Sequence, residues 1–110
     1  MHRDHDTFVR ATNQKRKVRL TFFSNEDGRK LVRMCAPLYY SQGQTEGDDL
    51  GCYYLWDFES NTGKHFLSLS PSQIVSMKSI EEAFDPRRVY RAWRDLAETK
   101  AGQHSNVIVL

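Results

Sequence analysis

Cys52-Tyr53-Tyr54-Leu55-Trp56-Asp57-Phe58-Glu59 is the stretch that decides how this chain folds. In an extended strand successive side chains point to opposite faces. Tyr54, Trp56 and Phe58 then share one face, and Tyr53 and Leu55 the other. Four rings in eight residues are too much apolar surface for a solvated segment, so this is a strand buried on at least one side. Ser60, Asn61, Thr62 and Gly63 turn it back into a partner strand over 64–69, closing a hairpin.

Upstream the same period of two recurs. Val18, Leu20 and Phe22 alternate with Arg19, Thr21 and Phe23, which predicts a strand over 18–23. Asn25, Glu26, Asp27 and Gly28 form a turn in which Gly28 supplies a positive φ. A second strand is expected over 29–38, ended or pushed to an edge by Pro37, which has no N–H to donate. Residues 41–51, with three glycines and a single aliphatic residue, are expected to be the longest loop. Before the first strand, Asp6 or Thr7 caps a short helix reaching Lys15, with Phe8 and Ala11 inward.

Downstream, Ser70-Pro71-Ser72-Gln73 carries the elements of a capping box around one helical turn. A short fifth strand follows over 74–79. Asp85-Pro86 starts a second helix, with Val89, Trp93, Leu96 and Ala97 on its apolar face and Gly102 as its stop. Trp93 is expected to dock that helix on the sheet. The terminal Val107, Ile108, Val109 and Leu110 are apolar enough to add a strand to a sheet edge or a second subunit.

At 110 residues one core is the expectation, and thirteen Phe, Tyr and Trp residues are enough to fill it. The fold class expected is mainly β with two helices. Its barrel occupies about 8–80, its C-terminal helix about 86–100 and its apolar tail 106–110. No run of eighteen apolar residues occurs, and the polar start lacks a signal-peptide core, which predicts a cytoplasmic protein without a membrane span. Cys35 and Cys52, without CxxC spacing, are expected to be free thiols, though their predicted positions leave proximity open.

The net charge of +2 is unevenly spread. Residues 1–33 hold nine Lys or Arg against four Asp or Glu, 34–86 two against eight, and 87–110 five against two. A basic beginning and end around an acidic middle permits anion binding or internal charge pairing. Lys15, Arg16 and Lys17 form one candidate cluster. Arg87, Arg91 and Arg94, at i, i+4 and i+7, form another on one helix face, beside the plainer reading of a solvated face paired with Asp95 and Glu98. Tyr40 and Tyr53 are candidate stacking rings, set against ordinary core packing. His2 and His5 read as part of a frayed terminus rather than metal ligands. His65, near Asp57 and Glu59, is a further candidate ligand-binding residue, without a nucleophile elbow or other mechanism-bearing spacing around it. A binding module, not an enzyme, is expected, with no cofactor.

Helix, five strands and a helical turn before the last strand is the order of an Sm-like five-stranded small barrel. Cys52-Tyr53-Tyr54-Leu55-Trp56 resembles the signature of the WYL domain family, with Tyr53 where that family has tryptophan. Ala11 to Phe23 is similar to its "A-x-x-x-x-R-x-V-x-x-x-Y" opening, Ala36-Pro37-Leu38 to its "x-P-L", and Leu69, Ile74 and Ala83-Phe84-Asp85-Pro86 to its closing pattern. The resemblance covers about 8–86. It implies a ligand-sensing module of the kind found in bacterial transcription regulators, binding a nucleotide or single-stranded nucleic acid through arginines near the fourth and fifth strands. His65-Phe66-Leu67-Ser68-Leu69 stands where the family shows "R-x-F-R-L", and Gln73-Ile74 where it shows "R-I", so those arginines are missing. With no helix-turn-helix read in the chain, a stand-alone module is expected. The alternative is a protein-interaction or homodimerisation domain using the aromatic surface or the terminal strand.

Overall fold

The computed structural model describes residues 1–42 and 51–101, with side chains to Asp95. Helix α1 (His5–Gln14) leads into strands β1 (Arg16–Ser24), β2 (Arg29–Ser41), β3 (Cys52–Asp57) and β4 (Phe66–Leu69). A 3-10 turn at Pro71–Gln73 precedes β5 (Ile74–Ala83), and helix α2 (Pro86–Ala101) follows. The strands form one antiparallel sheet in the order β4-β3-β2-β1-β5. Among the described residues no ladder joins β4 to β5, so the sheet is open between its edges rather than a closed barrel.

The alternation in β1 sets the inner face. Val18, Leu20 and Phe22 are buried and lie opposite Cys35, Arg33 and Leu31 of β2. They pack with Phe8 and Ala11 of α1, Tyr53 and Leu55 of β3, Leu69, Ile74 and Met77 into one core. In a flat five-stranded sheet the edge strands would stand about 19 Å apart. Leu69 of β4 and Ile74 of β5 instead belong to the same cluster, so the sheet bends around α1. A second, smaller core lies on the other face, where Val89 of α2 sits over Ala36, Leu38 and Trp56. The sheet is thus held between its two helices.

Several boundaries differ from expectation for local reasons. Strand β2 does not stop at Pro37, which is buried within it opposite Leu55. The register shifts between Pro37 and Tyr39, so Leu38 is the extra residue of a bulge, the setting that tolerates a missing N–H. Because β2 runs on to Ser41, Cys52 lies opposite Ser41 and Cys35 opposite Asp57. Six residues of strand put the two thiols roughly 20 Å apart, far too distant to bridge, and both are free. Burial pushes the Cys35 thiol well up, which makes it inert.

Gly28 takes the positive φ that its turn requires, at 65°. Ser70 and Gln73 form the expected capping box. The Asp85 carboxylate accepts the Arg87 N–H at 3.0 Å and starts α2. Helix α1 begins earlier than expected, at His5 after Asp4. The Asp4 carboxylate does not cap it but accepts the Met77 N–H of β5 at 2.9 Å. Of the expected loop over 41–51, Ser41 instead ends β2, and 43–50 lie outside the described residues, as do the Gly102 stop, the apolar tail and the side chains of Leu96 and Ala97.

Candidate functional site

The bend leaves a groove of about 470 Å³ on the inner face, beyond the end covered by α1. One wall is the β1–β2 hairpin from Ser24 to Arg33, the other the β3–β4 hairpin and the residues of β4, and Gln73 closes the side toward β5. Phe22, Leu31, Leu67 and Leu69 contribute apolar lining and Arg29, Arg33 and Gln73 polar groups, while Phe66 and Ser68 border the groove along β4 with their side chains on the α2 face. A volume in the range of roughly 300–1,000 Å³, apolar walls and a few convergent polar groups are what small-molecule clefts share.

The groove is electrostatically structured. Arg33 Nε stands 3.4 Å from Asp57 Oδ2, a pair in which the carboxylate is almost fully buried. Burial raises the Asp57 pKa, opposed by the Glu59 N–H that donates to Oδ1 at 2.8 Å and by the Arg33 charge. At the mouth, Lys64 Nζ and Glu26 Oε1 are 2.9 Å apart and join the two hairpin tips. Both are exposed, so this pair is weak and opens at little cost. Asp27 is engaged by the Ser24 hydroxyl at 3.1 Å. Arg29 is exposed at the end of the ladder, opposite Ser24, and among the described residues has no ion-pair partner.

The residues singled out in the sequence do not form one site. Lys15 is the C-cap of α1 in the left-handed conformation, and its carbonyl accepts the Phe84 N–H at 3.0 Å. That bond sets the start of α2 beside Lys15, Arg16 and Lys17. Lys17 is engaged, with Nζ 3.2 Å from Glu82 Oε1 and 4.6 Å from the centre of the Phe58 ring. Arg87, Arg91 and Arg94 are exposed on the side of α2 opposite Val89 and Trp93, pointing away from the groove.

Tyr53 is fully buried and offers no stacking face. Its ring lies edge-on to Phe8, and its hydroxyl accepts the His2 backbone N–H at 3.1 Å and meets His5 Nδ1 at 2.8 Å. Tyr40 packs against His5 and Tyr53 and is half-buried, and a Cβ at Gly51 would collide with its hydroxyl. The N-terminus is therefore not frayed. His2 accepts the Asp4 N–H at Nδ1 and donates from Nε2 to the Ile74 carbonyl at 2.9 Å. His65 donates from Nδ1 to the Asp57 carbonyl at 2.7 Å and stacks on Trp56, so it braces the hairpin behind the groove.

Sequence reasoning missed Arg29 and Arg33. Their signal was the parity of β2, which places 29, 31 and 33 on the face of Phe22 and Leu20. Of the positions where arginines were missing, Gln73 lines the groove, whereas the Ser68 side chain meets Cys52 on the other face. Among the described residues no cluster of His, Cys, Asp or Glu suits a metal ion, and no helix is long and apolar enough to cross a membrane. No family model, curated protein or solved structure matches the chain.

Proposed function

We propose that this chain is a non-catalytic binding module whose inner groove takes a small phosphorylated ligand of the nucleotide class. The observation that carries the reading is Arg29 and Arg33 set over an apolar lining in one cleft. Arginine's planar fork matches phosphate oxygens, and the apolar walls suit a base. Arg29 is the phosphate group's first contact, because Arg33 is shared with Asp57. The WYL-like motifs and the Sm-like order of elements support the same reading, with cations from β2 standing in for the arginines absent at Ser68 and Gln73.

Calorimetric titration with nucleoside mono-, di- and triphosphates tests it. Saturable binding that drops about tenfold or more in Arg29→Ala is expected, the scale of a lost charge-assisted pair. No saturable binding by any of the series would overturn it. A second reading, self-association, is supported by the outer edge of β4, which pairs with no strand among the described residues. A mass that rises with concentration in sedimentation equilibrium would favour it.

A further inference from the structure

Among the described residues, helix α2 covers only part of its face of the sheet. Its contacts are with Ala36, Leu38, Trp56 and their neighbours. Cross-strand pairing places a second patch on the same face: Lys78-Arg19-Met34 in one row, Ser76-Thr21-Val32 in the next, then Phe23-Lys30. Phe23 is 41% and Val32 54% exposed, and Phe58 at the margin is 37% exposed. An aromatic ring and a β-branched side chain thus lie open to water on a rigid ladder.

The charged side chains belonging to these rows, Arg19, Lys78 and Lys30, are all basic. Arg19 and Lys78 are direct cross-strand partners, an arrangement that costs stability. Among the described residues neither has an ion-pair partner to offset it. At the margin, Glu82 is paired with Lys17, and Glu59 accepts the Met34 N–H while keeping its charge. Lys78 also lines a groove of about 450 Å³ beside α1 with Arg3 and Arg10, so the basic surface continues around the β5 edge. An anion spanning Arg19 and Lys78 would relieve their repulsion, and a flat ring beside Phe23 would cover the exposed apolar surface.

We propose that this uncovered half of the α2 face is a platform for single-stranded nucleic acid, with Phe23 stacking a base and Arg19 and Lys78 holding consecutive phosphates. A positively charged track combined with exposed aromatic stacking is the general solution for sequence-tolerant single-strand binding. The platform lies on the opposite face of the sheet from the inner groove and does not depend on a ligand there.

Anisotropy titrations of labelled twelve-nucleotide DNA and RNA strands at low and moderate salt test the proposal. Wild type should bind, and Phe23→Ala should bind about tenfold more weakly, the scale of one lost stacking contact. The double variant Arg19→Thr, Lys78→Thr should flatten the salt slope by roughly 1.4, two phosphate contacts on a single strand. Arg19→Thr alone should leave the thermal midpoint unchanged or raise it, because it removes half of a repulsive pair. Stability held while binding falls is an outcome that a merely structural role would not produce. Arg29→Ala should leave strand binding intact, and Phe23→Ala should leave mononucleotide binding intact, so the two sites fail separately. Absence of strand binding at low salt overturns the platform, as does affinity unchanged in the double variant. So does self-association that Phe23→Ala abolishes in a protein that binds no strand.

Discussion

Asp57 is the residue whose surroundings most constrain the chemistry of the inner groove. Its carboxylate is buried among strands, and desolvation outweighs the Glu59 N–H and the Arg33 charge, leaving its pKa raised. The folded state therefore binds a proton at Asp57 more readily than the unfolded chain does. Stability from this group falls as pH rises above the unfolded carboxylate value of about 3.9 and grows on acidification. Asp57→Asn removes that dependence. Urea unfolding at neutral pH and near pH 4.5 should show the difference between wild type and Asp57→Asn moving in favour of wild type at the lower pH. A difference that moves the other way would mean the Arg33 pairing dominates. The sequence placed Asp57 on a strand near His65, but its burial follows from the bend of the sheet, which no local pattern encodes.

At the scale of elements, α2 depends on two residues of unequal burial. Val89 is almost completely enclosed, whereas Trp93 is half-buried and meets Phe66 with ring centres 5.6 Å apart. A fully buried tryptophan would cost about 3–5 kcal/mol on truncation to alanine. Half burial lowers the expectation for Trp93→Ala to about 2 kcal/mol, measured by urea unfolding, and a loss within about 0.5 kcal/mol would mean α2 is not docked through this ring. The helix itself was legible, because Asp85-Pro86 and the spacing of Val89 and Trp93 are local signals. So were β1, β3 and the capped turn before β5. What the sequence did not reveal was the extent of β2, since Pro37 ends a regular ladder but not a bulged one, nor that of β5, expected over 74–79 but running to Ala83 past a register shift against β1. The inner groove was illegible for a related reason: Ser24, Asn61 and Gln73 are brought together only by the curl of the whole sheet.

Across the whole molecule, the segregation of charge along the chain becomes partial pairing in space. Lys17–Glu82 and Arg33–Asp57 tie the basic first third to the acidic middle, and Glu26–Lys64 does so in reverse. The two free edges of the sheet are treated differently. His2 and Arg3 donate to the Ile74 and Val75 carbonyls, and the Asp4 carboxylate accepts from Met77, so the N-terminal residues occupy the outer edge of β5. The edge of β4 faces the inner groove instead. Amide hydrogen exchange should therefore rank β1 and β2 as slowest, the Met77 amide as protected, and the outward amides of β4 as fastest within the sheet. Asp4→Ala should speed exchange at Met77 without altering the centre of β1, because it removes one edge acceptor and leaves the ladder intact. Closure of β4 onto β5, as a complete barrel requires, would instead protect β4 as well as its neighbours. Slow β4 exchange in the ligand-free protein would show that the sheet closes in solution. Slow exchange only after nucleotide addition would place the ligand against the β4 edge.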